Sequence, residues 1–508
     1  MLSRVATFAI DGIDPRPVWV EVDIRPGLPA FHVVGLAGKA VREARERVRA
    51  AILNSGFEFP ARRITANLAP ASLPKVGPGF DAALAVGLLA ASGQCRAEAL
   101  ERWAIFGELS LGGELRPCRG LLSAAEGALR SGFTGLIVAR ERAGEAALVD
   151  GVTVAAVDSL RGVARLLDGE DPPQPPTPEP AALAPAEELA DLADVRGHQQ
   201  PLRALEIAAA GGHNLLLEGP PGSGKTMLAR RLPSLLPPLS REEAFEVTRI
   251  HSVAGLHRRG GLVTSRPFRA PHHTISASGL VGGGQVPMPG EASLAHNGVL
   301  FLDELSEFGR PSLEALRQPI EDGYVAVVRG QRALQFPTRF ALVAATNPCP
   351  CGFAGSERPC TCGEAELARH RRRLSGPLLD RLDVRTTVQR PTAAELAAPA
   401  RSSSQEMRER VLAARERQLH RLAGTGARCN GQLDARLIRS HLAASAAARQ
   451  LLGAAYDAGS FSARGHDRVL RVARTIADLD GRERVETDDV MQAIAFRTDD
   501  ELRGAAAA

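Results

Sequence analysis

Residues 219–226 read Gly-Pro-Pro-Gly-Ser-Gly-Lys-Thr, and their types and spacing suit the gripping of phosphate. Gly219, Pro220, Pro221, Gly222, Ser223 and Gly224 form a loop whose glycines let backbone N–H groups turn inward toward an anion. Lys225 then meets the β and γ phosphates of a nucleotide, and Thr226 offers a hydroxyl to Mg²⁺. Such a loop works only between a buried strand and a helix. The apolar run at 215–219 supplies the strand, and the positive end of the following helix faces the anion.

A second run, Val-Leu-Phe-Leu-Asp-Glu at 299–304, is an apolar strand that ends in two acids. Strand ends at the carboxyl edge of a sheet are where α/β proteins bind ligands. There Asp303 would complete the Mg²⁺ shell and Glu304 would polarise an attacking water. A third apolar strand, 339–347, ends in Asn347, which is placed to orient that water beside the γ-phosphate. The stretch 375–384 sets Arg381 after a short apolar turn. From there it would reach across a subunit interface to neutralise transition-state charge. The alternative for Arg381 is a local ion pair with Asp380 or Asp383. Arg464 opens a late helix and would reach the nucleotide from a helical lid, with Arg468 one turn on as its rival.

Four of the seven cysteines cluster as Cys349, Cys351, Cys360 and Cys362, a C-x-C-x₈-C-x-C pattern. Four thiolates this close can converge tetrahedrally on Zn²⁺. Free thiols in a loop, or a redox pair, are the other readings. His370 reads as polar surface. Cys95, Cys118 and Cys429 are scattered and read as core or surface thiols.

These residues need a scaffold, and 508 residues allow about three domains. The proline-rich stretch 171–188 denies backbone donors to helix or sheet and reads as a semi-rigid linker. It separates an N-terminal α/β domain, 1–170, from an ATP-binding core, 189–395, and a helical region, 396–508. In the first domain, 18–24 alternates as a strand, 39–56 as a helix with Val41, Val48 and Ile52 on one face, 63–68 as a strand, and 81–91 as a helix. In the last, helices are expected from about 402–404, from 464 to 479, and from a cap at Thr487. No apolar run is long enough to cross a membrane, and the first residues do not read as a secretory signal, so a cytoplasmic chain is expected. A net charge of +4 does not by itself indicate a nucleic-acid partner.

With these residues in place, the chain resembles the magnesium-chelatase-like AAA+ ATPases of the ComM/YifB type. The resemblance is carried by 34–60, 67–77, 266–284, 289–305, 340–352 and 375–383. It implies a P-loop αβα core with a C-terminal helical lid, ATP and Mg²⁺ at each interface of a homo-hexameric ring, and two inserted segments. One is the glycine-rich run within 275–290, expected as a flexible pore-facing loop. The other is a hairpin at 324–336, whose Arg329 and Arg332 would meet DNA phosphates. The activity implied is DNA helicase and branch migration in natural transformation or homologous recombination. The partners implied are single-stranded or branched DNA and recombination proteins.

Residues 1–170 look like the Lon protease domain, which shares the fold of the second domain of ribosomal protein S5. The match rests on 74–81 and 107–125. Gly79 stands where those proteases carry the nucleophilic serine, and no lysine lies near 122–124, so no serine–lysine dyad exists and the domain is read as catalytically inactive. Lys75 reads as a surface lysine or a contact to DNA or a partner. A DNA motor is thus the leading function, with a chelatase motor subunit or a protein remodeller as alternatives.

Overall fold

The computed structural model describes residues 2–35, 39–176, 191–257, 261–329, 332–373, 376–400 and 402–497. Most of the expected 171–188 linker lies outside them. Its first residues do not stand apart from the preceding sheet, because Gln174 O accepts from Ala156 N at 3.1 Å.

The N-terminal part is a seven-stranded mixed sheet. Its order is Ala30–Val34, Arg63–Ala69, Asp14–Arg25, Leu2–Asp11, Trp103–Phe106, Gly135–Ala139 and Thr153–Val157. The first two long strands form a hairpin in which Asp11 pairs with Asp14, and Gly12 takes a φ of +68° that suits glycine. Val5, Val18, Val20 and Val22 are buried on the face that meets the Asp81–Ala91 helix, every residue of which is buried. Helix Lys39–Asn54 packs there too, with Val48 and Ile52 fully buried; the side chain of Val41 lies outside the described residues. Helix Leu121–Arg130 covers the other face.

The central part is a five-stranded sheet in the order Phe268–Arg269, Val299–Leu302, Ala341–Thr346, Leu215–Glu218, Val384–Thr387. Every neighbouring pair is parallel. The three middle strands, Val299–Leu302, Ala341–Thr346 and Leu215–Glu218, are mostly apolar runs because both faces are covered. All three expected strands are present, and their carboxyl ends fall side by side.

The glycine-rich run differs from its expectation as a loop. Helix Ala277–Val281 leads into a two-stranded hairpin, Gly282–Gly283 with Met288–Pro289, and then into helix Glu291–Leu294. Gly282 adopts φ +103°, and a Cβ there would sit 2.7 Å from Met288 O, so glycine is what allows the strands to close. The second insertion is a hairpin as expected, Tyr324–Arg329 paired with Arg332–Pro337. The side chains of Arg329 and Arg332 lie outside the described residues.

Among the described residues beyond 400, five α-helices follow: Ser404–Arg421, Ala435–His441, Ala446–Asp457, Ala463–Leu479 and Thr487–Ala495. Ser403 caps the first through a capping box with Glu406. The last begins one residue away from the expected cap. Glu486 is its N-cap and pairs reciprocally with Asp489, while Thr487 is already helical.

Candidate active site and cysteine cluster

The loop 219–224 joins strand Leu215–Glu218 to helix Lys225–Ala229. Gly222 and Gly224 have φ of +73° and +95°. Gly219 faces the backbone oxygen of Val388 and has no room for a side chain. Lys225 is buried, and its Nζ donates to Gly219 O at 2.7 Å, Pro220 O at 2.9 Å and Asn347 Oδ1 at 3.1 Å. Burial pushes the Lys225 ammonium below the usual lysine range, against the pull of Asp303, Glu218 and Glu304. Thr226 Oγ1 donates to Asp303 Oδ2 at 2.7 Å. The hydroxyl and carboxylate expected to share Mg²⁺ are therefore already in contact.

Glu304 follows Asp303 in the left-handed region, φ +53°, which is rare for a residue with a side chain. Its N–H donates to Asp303 Oδ1 at 3.0 Å. Its carboxylate lies 3.3 Å from His273 Nδ1. His273 follows the edge strand Phe268–Arg269, stacks near His272 with ring centroids 4.1 Å apart, and meets Phe308 edge-on. No role for His273 was read from the sequence, because nothing in its spacing shows that its strand neighbours the one ending in Glu304. His198, just before helix Gln199–Gly211, is likewise not singled out by its sequence neighbourhood. It takes φ +59°, and a Cβ on Gly224 would lie 3.4 Å from its Nε2, which puts it against the loop.

Asn347 joins this group through Lys225, but Arg381 and Arg464 lie elsewhere. Arg381 is buried and pairs with Glu321, an acid the sequence reading did not consider. Arg464 is exposed at the start of its helix. Its rival Arg468 is held 3.3 Å from Asp383 Oδ1. Asp383 is also approached by His213 and Arg471, and despite burial these hydrogen bonds and charges hold its carboxyl well below the usual range.

The four cysteines do converge. Their sulfurs all lie within 4.8 Å of one another. Cys349 and Cys351 are 3.3 Å apart, and Cys360 is 3.7 Å and 3.5 Å from them. Backbone N–H groups of Phe353 and Thr361 hold the Cys351 thiol down at about 5. An all-thiolate set of this compactness suits a soft tetrahedral ion. The cluster touches the nucleotide loop: a Cβ on Gly352 would lie 2.5 Å from Pro221 Cδ. His370, expected at the surface, is instead buried and donates from Nε2 to Asn347 O at 2.9 Å. Cys95, Cys118 and Cys429 are all buried.

In the N-terminal sheet, a Cβ on Gly79 would come 2.7 Å from the Phe106 ring, so a serine does not fit without a shift. Lys75 is not at the surface. It is fully buried and donates to Pro70 O, so neither the surface position nor an exposed contact residue describes it.

A phosphate loop at the head of one central strand, with two acids and an asparagine at the tips of its neighbours, defines a P-loop nucleoside-triphosphatase core. Family models agree along the chain. Residues 191–396 match "Magnesium chelatase, subunit ChlI", 20–142 match "Subunit ChlI of Mg-chelatase", and 401–497 match the "Magnesium chelatase, subunit ChlI C-terminal". Over 506 residues the chain is 45% identical to the uncharacterized protein YifB of Escherichia coli, covering 99% of this chain and 98% of that protein. It is 41% identical over 502 residues to the competence protein ComM of Haemophilus influenzae, covering 98% and 97%. An uncharacterized protein of Mycobacterium tuberculosis is 45% identical over 504 residues, covering 98% of each. The chain belongs to the magnesium-chelatase-like AAA+ ATPase family of the ComM/YifB type. No described helix is long and apolar enough to cross a membrane.

Proposed function

We propose that this chain is a DNA motor, a ring ATPase that couples ATP hydrolysis to movement along single-stranded or branched DNA. The observation that carries the ATPase half is the contact group Lys225–Asn347 and Thr226–Asp303, at the carboxyl edge of the parallel sheet. In it the loop N–H groups and Lys225 hold the triphosphate, and Thr226 and Asp303 hold Mg²⁺. Glu304 polarises the attacking water, Asn347 orients it, and His273 is a positioning residue for Glu304. Arg381 and Arg464 act from a neighbouring protomer of a hexamer, which accords with their distance from the group above.

The DNA half rests on likeness to the competence protein ComM and on the two inserted hairpins. In this reading Arg329 and Arg332 at the second hairpin meet backbone phosphates. The N-terminal part keeps a Lon-like fold without its dyad. Cys349, Cys351, Cys360 and Cys362 hold one structural Zn²⁺, which would fix the segment after Asn347 against Pro221. Stimulation of ATP turnover by forked or single-stranded DNA tests the reading. Turnover that ignores DNA would favour a chelatase-type motor or a protein remodeller instead.

A further inference from the structure

An isolated two-stranded hairpin is marginal in water and needs an apolar face to rest on. In the Tyr324–Pro337 hairpin, Val325 and Phe336 are buried, Phe336 completely. Phe336 lies in a cluster with Ile13, Ile250, Val253 and Leu294, joined by Ile10, Val327 and Leu334. Ile10 and Ile13 come from the turn of the N-terminal sheet, and a Cβ on Gly12 would lie 3.6 Å from both Leu334 and Phe336. Part of the hairpin's support is therefore supplied by the N-terminal part, through Ile10, Gly12 and Ile13.

That part is itself fixed to the core. Glu145 is completely buried, and its carboxylate accepts from Ser252 Oγ of helix Arg241–Ala254 and from Leu122 N at 3.0 Å, with Arg142 as its ion-pair partner. Arg249 reaches Glu126 at 3.2 Å, and Arg241 reaches Asp150 at 2.6 Å. The same helix carries Ile250 and Val253 of the hairpin cluster.

We infer that the N-terminal part is the mount of the 324–337 hairpin. It holds the base of the hairpin through Ile10, Gly12 and Ile13, so the hairpin moves only together with it. This gives the domain without a protease dyad a mechanical task. It also means that DNA-dependent activity requires a domain that need not touch DNA. The DNA consequence rests on the motor reading above, while the mount itself does not.

The test uses the full chain with Ile13→Asp, and Ile13→Ala as the milder variant. Amide hydrogen exchange is followed in 324–337, in 63–69 as a check that the N-terminal sheet is folded, and in 215–218 as a check on the core. The mount predicts exchange in 324–337 at least about tenfold faster in Ile13→Asp, and an intermediate effect in Ile13→Ala, with both control strands protected. Unchanged exchange in the hairpin would overturn the inference. If Ile13→Asp loses protection in 63–69, the outcome with Ile13→Ala decides. Basal ATPase is expected to persist in these variants while stimulation by DNA is lost. A wild type that shows no stimulation refutes the DNA reading and leaves the exchange result to decide the mount.

Discussion

His370 donates a hydrogen bond to the backbone oxygen of Asn347, the residue whose side chain meets Lys225. His370 sits on helix Glu364–Arg373, just beyond the second cysteine pair, and Cys349 lies two residues past Asn347. The cysteine segment thus grips Asn347 from both sides and rests on Pro221 through Gly352. Loss of His370 removes the shorter of two hydrogen bonds to the Asn347 carbonyl and leaves the one from Thr346 Oγ1 at 3.2 Å. His370→Ala is expected to weaken ATP affinity by about tenfold, the size of one lost hydrogen bond. A fluorescent-nucleotide titration checks this, and unchanged affinity would show that the contact has no bearing on the site.

The thiolate cluster predicts one zinc per chain in protein purified without chelator. Elemental analysis measures it directly, and Cys360→Ser should lower it. A strong chelator at neutral pH should remove the ion, lower the thermal midpoint and weaken nucleotide binding together, because the same segment carries Cys349 and Asn347. Metal-free protein that binds ATP normally would separate the two.

Glu304→Gln should keep ATP and lose turnover, since in the proposed mechanism the carboxylate acts on water and not on the phosphates. His273→Ala should lower kcat by about tenfold to a hundredfold with little change in KM, because a misplaced general base slows only the chemical step. Restoration of kcat by His273→Asn would identify hydrogen bonding to Glu304 as the task. An Ala variant with wild-type kcat would remove His273 from the mechanism.

Arg381→Ala should bind ATP with near-normal affinity while turnover falls about 10³-fold or more. Glu321, its partner, is about half exposed and is readily solvated when the arginine is removed, so the thermal midpoint should change little. A large loss of stability with turnover per folded molecule intact would make Arg381 a structural residue. Mixing Arg381→Ala with Glu304→Gln chains should restore some turnover in interfaces that pair the intact halves.

A pH effect follows from Glu246. The hydrogen bond from His296 pulls its carboxyl down from an ordinary 4.5 to about 2, with Asn297 adding to it. A carboxyl depressed in the folded state contributes stability above its unfolded value and loses it as pH falls toward the folded one. The contribution is therefore complete above about 4.5 and fades between about 4.5 and 2. Urea midpoints taken across that window should fall less steeply for Glu246→Gln than for wild type. Equal slopes would mean that this carboxylate is not linked to folding.

The nucleotide loop, the two acids and Asn347 were legible because each belongs to a local pattern, an apolar strand followed by a fixed polar residue. The cysteine cluster was legible for the same reason, since its four thiols lie close together in sequence. Contacts made by elements distant in sequence were not legible. Glu304 meets His273 only because their strands are neighbours. Lys75 and His370 are charged or polar side chains that sequence alone places at the surface, yet each turns inward to a backbone oxygen. The Glu145–Ser252 contact links residues over a hundred positions apart, and no periodicity encodes it. Arg381 has a partner in Glu321, sixty residues upstream, that its sequence neighbourhood does not suggest.

Movement of a three- or four-strand DNA junction by the purified chain, with ATP and Mg²⁺, is the measurement that bears most directly on the motor. The wild type should drive the junction to product at a rate that rises with ATP. Lys225→Ala, which removes the ammonium proposed to meet the phosphates, should leave it where spontaneous migration does. A wild type that hydrolyses ATP yet moves no junction, or a Lys225→Ala chain that moves one as fast, would contradict the account.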